Sequence, residues 1–317
     1  MDHLAPCSVE TIKEAALRLK GGSLVAFPTE TVYGLGVDAE NESAVARMYE
    51  VKGRPADHPV IVHISDQNQV GYWAEDIPDY AIALMRNFWP GAMTLILKRS
   101  ARAKDFITGK QDYVGLRMPS NAIALKLLSE FEALGGHGVA APSANRFGSV
   151  SPTSAADVTE EIGGLLNKED RILDGGESEI GVESTIIDCS RALPRILRLG
   201  AVTESMIQAL TPIDPDGDIE EIRVSGSLTR HYSPKAKVIA DREAKSGEGL
   251  IALSHVDTPT GVIRLASPGS IEEYARSLYS ALRRGDSKGL AVIVAIPPKG
   301  SGLAAAIRDR ILRASAQ

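Results

Sequence analysis

Leu24-Val25-Ala26-Phe27-Pro28-Thr29-Glu30-Thr31-Val32-Tyr33-Gly34-Leu35-Gly36 passes from four apolar residues to a proline and then to a polar, glycine-containing string. The apolar run is short and is broken by a residue with no amide hydrogen, so it reads as a buried strand emptying into a loop. Loops at strand ends are where α/β proteins place ligands. Hydroxyls of Thr29, Thr31 and Tyr33 can orient a polar substrate there, while Gly34 and Gly36 let the backbone turn sharply or approach a ligand. Taken alone, the string reads equally well as a turn whose threonines satisfy its own backbone.

Outward from this string, helical and strand-like patterns alternate. Ile12, Ala15, Ala16 and Leu19 recur at helical spacing between Ser8 and Lys20, and Gly21-Gly22 supplies a stop. The spacing predicts further helices over 41–51, 81–88 and 121–128, and strands over 60–64, 94–97, 114–116 and 138–140. Shorter strand-like runs follow at 172–173, 185–188 and 196–197. This alternation implies an α/β protein, and the clustered later strands imply a mixed rather than purely parallel sheet. After Leu210, Thr211-Pro212-Ile213-Asp214-Pro215-Asp216-Gly217-Asp218 is acidic and rich in turn formers, so it starts an exposed connection. Alternation resumes with strands at 250–253, 262–265 and 290–295 and helices after Ser270 and Ser301. The expected division is a first domain over 1–210, a linker or lid over 211–237 and a smaller α/β domain over 238–317.

Bulk properties narrow the function. The 317 residues carry 44% hydrophobic and 24% charged side chains, which is ordinary for a soluble globular protein. Two cysteines, Cys7 and Cys189, lie far apart without C-x-x-C spacing, which argues against a zinc ribbon or disulfide scaffold and fits a reducing cytoplasm. Neither a basic segment leading into an apolar run nor a membrane-length apolar stretch is present, so a soluble, cytoplasmic location is expected. The net charge of −6 favours a small anionic ligand over a long polyanion, because wrapping nucleic acid calls for net positive charge.

The residues with chemical potential sit at element ends. Lys52-Gly53-Arg54-Pro55 ends a helix, where cations either answer the helix dipole or converge on phosphate. His63 and Arg117 end two strands; Ser143-Ala144-Asn145, Ser151-Pro152-Thr153 and Gly181-Val182-Glu183-Ser184-Thr185 flank others, and Arg198 closes another. No Ser-His-Asp arrangement and no metal-ligand cluster is legible. Such a set holds and polarises anions but offers little general-base machinery, which suits phosphoryl or nucleotidyl transfer.

P-T-E-T-V-Y-G-L-G, K-G-R-P, V-G-L-R-M-P, A-P-S-A-N and G-V-E-S-T-I, followed by L-R-L-G after Ile196, occur in the order seen in YrdC-like proteins, which the chain resembles over about residues 8–210. Arg230-His231-Tyr232-Ser233-Pro234 and Ala305-Ala306-Ile307-Arg308-Asp309-Arg310 resemble the longer, two-domain branch of that family, the threonylcarbamoyl-AMP synthases. At Tyr113, Ala141, Ser225 and Ser227 the chain departs from the family pattern.

The resemblance implies a twisted, mixed-sheet catalytic domain with a concave, positively lined cavity, followed by the smaller α/β domain. It implies an L-threonylcarbamoyladenylate synthase, a nucleotidyltransferase that condenses L-threonine, bicarbonate and ATP and releases pyrophosphate. Thr29, His63, Arg117 and Thr185 would contact threonine. Lys52, Arg54, Ser143, Asn145, Ser151 and Arg198 would surround the nucleotide, with Lys52 and Arg54 catalytic and Tyr232 closing over the site from the linker. Mg2+ would arrive with the ATP phosphates rather than in a protein cage. The product would pass to a tRNA threonylcarbamoyl-transfer machinery, with tRNA itself bound weakly or indirectly. The rivals are a carbamoyl-adenylate former of the hydrogenase-maturation type, for which the cysteines are lacking, and a double-stranded RNA or tRNA-binding module of the same fold. Acidic balance and the lack of interleaved aromatics weigh against the second.

Overall fold

The computed structural model describes residues 3–214, 222–224 and 231–316; the departures at Ser225 and Ser227, and much of the expected lid, lie outside them. In chain order the strands are β1 (Leu4–Pro6), β2 (Val25–Phe27), β3 (Gly34–Asp38), β4 (Ile61–His63), β5 (Met93–Lys98), β6 (Tyr113–Arg117), β7 (Val139–Ala140), β8 (Arg171–Asp174), β9 (Thr185–Asp188), β10 (Arg195–Arg198), β11 (Lys237–Ala240), β12 (Gly249–Ile251), β13 (Ile263–Ala266) and β14 (Val292–Ala295). The α-helices are α1 (Val9–Lys20), α2 (Glu42–Lys52), α3 (Val70–Trp73), α4 (Asp79–Phe88), α5 (Asp105–Thr108), α6 (Ala122–Ala133), α7 (Ala155–Ile162), α8 (Glu204–Gln208), α9 (Ile271–Ser287) and α10 (Leu303–Ser315). Among the described residues no helix is long and apolar enough to cross a membrane.

Ten strands form one mixed sheet in the order β1-β8-β2-β3-β7-β4-β6-β5-β9-β10. Its central logic is visible in β2, which is buried at every position. Leu24 and Ala26 enter one core cluster while Val25 and Phe27 enter another. A strand apolar at successive positions is thereby covered on both faces. On the Val25 face lie α1 and α6. Ser8 caps α1 through a reciprocal capping box with Thr11, and Ile12, Ala15, Ala16 and Leu19 form its buried stripe. That stripe meets Ala124, Leu127, Leu128 and Phe131 of α6.

The tail of the opening string differs from the sequence expectation. Gly34–Asp38 is not loop but strand, antiparallel to β2 with Val25 opposite Gly36 and Phe27 opposite Gly34. A Cβ on Gly36 would lie 2.8 Å from both Phe27 Cε1 and Val139 Cγ1, so the hairpin requires the missing side chain. The ligand-facing loop therefore shrinks to residues 28–33. The strands β1 and β11 and the helices α3, α5, α7 and α8 are also absent from the sequence reading, and the expected linker overlaps the first residue of β11.

The second sheet has the order β11-β14-β12-β13 and is wholly parallel. α9 packs on it through Tyr274, Ala275, Leu278, Tyr279, Ala281 and Leu282. The same cluster takes in Val32, Val150 and Val182 from the first part of the chain. At Gly181 (φ 80°) a Cβ would fall 2.5 Å from Arg276 Cα, so the backbone of α9 rests directly on the loop before β9. A mixed α/β sheet with a smaller α/β unit is thus the architecture found.

Candidate active site

A cavity with about 550 Å³ of empty space, part of it open to solvent, lies between the 28–33 loop, the ends of β4, β6 and β10, the 141–143 segment and residues 231–232. It is concave, with apolar walls and a few convergent polar groups, which is the make-up of a small-molecule site. β4 and β6 run parallel with His63 opposite Arg117, so both side chains leave the sheet at the same carboxyl edge. Arg54 arrives from another direction. Asn41 caps the start of α2, and Gly53 ends it in the left-handed region (φ 62°), which turns Arg54 off the helix axis. Arg54 donates to Pro59 O at 2.7 Å and lies over the Phe147 ring. Arg198 ends β10 and donates to Ser184 O at 3.0 Å and Ser184 Oγ at 3.1 Å.

Thr29, Arg54, His63, Arg117, Ser143, Arg198 and Tyr232 line this cavity, together with Thr31, Glu183, Ser184 and His231. Lys52, Asn145, Ser151 and Thr185 are buried behind it. The Lys52 ammonium donates to the carbonyls of Ser143, at 2.6 Å, and Asn145. Asn145 donates to Arg146 O and Ser149 O, Ser151 donates to Glu183 Oε1 at 2.6 Å, and Thr185 donates to Val202 O at 2.6 Å. Thr29 borders the cavity with its hydroxyl already engaged: it donates to Val32 O at 2.6 Å and accepts from the amides of Thr31 and Val32. The turn-forming role and the ligand-facing position therefore coexist in one residue.

Among the described residues, three arginines thus share the cavity wall with one carboxylate, that of Glu183. Arg117 donates to Glu30 Oε1 at 2.7 Å and to Thr31 Oγ1 at 2.9 Å, while its Nε has no partner among the described residues. Burial, followed by the Arg117 charge, holds the His63 imidazole down to about 3. Burial also holds His231 at about 3, with the cations Lys52, Arg54 and Arg198 adding to it against Glu183. Both rings are therefore neutral near pH 7, hydrogen-bonding groups rather than bases. Burial works against ionisation of Glu183, but Arg310 and Arg198, with hydrogen bonds from Ser151 and Arg310, overcome it and bring its carboxyl down to about 2. Burial lowers Lys52 well below the usual lysine range, with Arg54 adding to the shift. Among the described residues no three His, Cys, Asp or Glu side chains gather in a way that could hold a metal ion.

Glu183, Ser184 and His231 lie within the quoted motifs, yet sequence reasoning does not mark them as site residues. Glu and Ser stand inside V-E-S-T beside Thr185, and His231 is next to Tyr232, so adjacency to a marked residue is the available signal.

Residues 18–200 match the model of the Sua5/YciO/YrdC family, described as telomere recombination, and residues 202–316 match that of the threonylcarbamoyl-AMP synthase C-terminal domain. The threonylcarbamoyl-AMP synthase of Pyrococcus abyssi is 41% identical over 96% of this chain and 94% of its own length. That of Bacillus subtilis is 37% identical over 96% of this chain and 92% of its own. A crystal structure of P. abyssi Sua5 complexed with L-threonine superimposes with a TM-score of 0.88 at 38% identity, covering 99% of this chain and 97% of that one. With both halves matched in order and the fold shared from end to end, the chain belongs to the Sua5/YciO/YrdC family, in the branch that carries the threonylcarbamoyl-AMP synthase C-terminal domain.

Proposed function

We propose that this chain is an L-threonylcarbamoyladenylate synthase, condensing L-threonine, bicarbonate and ATP to threonylcarbamoyl-AMP and pyrophosphate for threonylcarbamoyladenosine formation in tRNA. The observation that carries this reading is the cavity itself: three arginines converge there, and its two buried histidines are too weakly basic to activate a protein nucleophile. The attacking oxygen must then belong to a substrate.

Threonine nitrogen adds to the carbon of bicarbonate with loss of water, giving a carbamate. A carbamate oxygen attacks the ATP α-phosphorus, the bond from that phosphorus to the bridging oxygen breaks, and pyrophosphate leaves with the electron pair. Arg117 takes the threonine carboxylate, with neutral His63 as its hydrogen-bonding neighbour. Arg54, Arg198 and Ser143 hold the nucleotide and meet the charge that develops on the phosphoryl oxygens. Lys52, Asn145, Ser151 and Thr185 act from behind, fixing the segments that carry these groups. Magnesium enters on the ATP phosphates. Tyr232 closes the site and keeps water from the mixed anhydride. In this scheme residues 1–210 form the catalytic domain, 211–237 the linker and lid, and 238–317 the smaller domain. The enzyme is cytoplasmic and hands its product to a tRNA-modifying transfer machinery without holding tRNA tightly, in keeping with a net charge of −6.

Pyrophosphate release, measured with each substrate omitted in turn, tests the scheme. It should require L-threonine and bicarbonate together. Serine should react about 10–200-fold more poorly for want of one methyl group. Robust release from ATP and threonine after rigorous removal of carbon dioxide would overturn it, because that signals ordinary carboxyl adenylation.

A further inference from the structure

Glu30 is the only charged residue between Leu24 and Gly36, and it has no part in the chemistry above. Its side chain is 3% exposed and pairs at 2.7 Å with Arg117, whose side chain is 6% exposed. Two charges stay out of water at tolerable cost only when each answers the other. Among the described residues, Arg117 makes no second ion pair. The backbone is fixed at both ends of the pair. Glu30 O accepts from Ile180 N at 2.8 Å, and Arg117 O, at the end of β6, accepts from Ile64 N at 3.0 Å. The fold therefore sets the direction in which Glu30 pulls on the guanidinium.

A guanidinium offers five N–H donors in one plane, so the donors already used decide which remain. Both donors of Arg117 Nη2 are consumed, one by Glu30 Oε1 and one by Thr31 Oγ1 at 2.9 Å. Thr31 is held in its turn. Its hydroxyl lies 2.9 Å from that of Thr29, whose own hydrogen goes to Val32 O. Thr31 therefore donates to Thr29 and keeps a lone pair for Arg117. Two acceptors on one planar nitrogen fix the plane of the whole group. The donors of Nη1 make no hydrogen bond among the described residues, and Arg117 borders the cavity, so Nη1 is the end left for a ligand. Arginine has a long, rotamer-rich stem, and fixing it before binding removes an ordering cost from the binding step.

We infer that Glu30 is a positioning residue for recognition of the amino acid. With Thr31 it clamps Arg117 by Nη2 and so presents Nη1 to the substrate carboxylate. The inference rests on the functional reading given above, and its test separates the two.

Glu30→Ala removes the clamp, Glu30→Asp withdraws it by one methylene, and Glu30→Gln keeps an oxygen acceptor at the same length. Each full-length variant, and the unaltered chain, is melted and titrated calorimetrically with L-threonine and with L-threoninamide, which lacks the carboxylate. The unaltered chain should prefer threonine by about tenfold or more, the scale of a charge-assisted contact. Glu30→Ala should bind threonine about tenfold more weakly and threoninamide as before, so that the preference collapses. Glu30→Gln should recover most of it. Equal weakening of both ligands, or lowered melting with the preference intact, would overturn the inference, because a loosened 28–33 loop produces either without a clamp on Arg117. An unaltered chain that binds both ligands equally would overturn it too. If Glu30→Ala does not fold, Glu30→Asp carries the test with the same expectation. An unaltered chain that binds neither ligand and releases no pyrophosphate would sink the functional reading instead.

Discussion

Replacing Lys52 by methionine, which keeps the length and removes the ammonium, asks whether this residue touches substrate or holds the wall behind it. Its Nζ donates to the Ser143 and Asn145 carbonyls from a side chain only 2% exposed. Two buried carbonyls left without a donor cost about 1–3 kcal/mol each. Relief of the burial penalty that depresses the Lys52 pKa offsets part of this, leaving a net loss of about 2–4 kcal/mol. For a chain of this size that corresponds to a fall in Tm of roughly 3–6 °C. Pro142 and Ser143 line the cavity, so a shift of that segment by an ångström should lower turnover on the order of 100-fold. Thermal melting and pyrophosphate release, measured on the same preparation, read both effects. An unchanged Tm with a raised KM for ATP would refute the buried-anchor argument and return Lys52 to direct phosphate contact. Full turnover despite the lowered Tm would refute the claim that the 142–145 segment must be held for catalysis.

Three further outcomes follow from the same geometry. His63 and His231 titrate near 3 when folded and near 6.5 when unfolded, so they contribute stability above pH 6.5 that is lost as pH falls toward 3; Glu183, near 2 when folded and 4.5 when unfolded, adds a loss in the same direction below 4.5. Melting curves should weaken steadily across that window, by up to about 5 kcal/mol per histidine, and His63→Gln should flatten the dependence; a Tm constant from pH 7 to 4 contradicts the assignment. Gly36→Ala forces a methyl group against Phe27 and Val139 and should cost about 1–3 kcal/mol in chemical denaturation, whereas an unaffected midpoint would mean the hairpin has slack. Tyr232→Phe removes a buried hydroxyl with no partner among the described residues, so Tm should hold while adenylate recovered per pyrophosphate falls; equal yields would leave the hydroxyl without a role in the reaction.

Local pattern in the sequence was enough for the helices of ten residues or more and for most strands, because period and capping are short-range properties. Ser8 with Ile12, Ala15, Ala16 and Leu19 declares α1 without help from the rest of the chain. The ordered motifs likewise declared the family, and they marked the element ends where Arg54, Arg117 and Arg198 stand. What the sequence left open depended on pairing between distant segments. Gly34–Asp38 reads as loop until Phe27 and Val139 close on Gly36 and make it a strand. His63 and Arg117 become neighbours only because β4 and β6 pair in parallel register. A lysine at a helix end looks like a surface cation or a phosphate ligand; burial against two carbonyls 91 and 93 residues away makes it an internal anchor. Glu183 meets Arg310 across 127 residues, and no local signal encodes that meeting. Side-chain type and spacing set each residue's chemistry, but burial and long-range contact set its charge state, its free valences and its direction, and those exist only once the chain has folded.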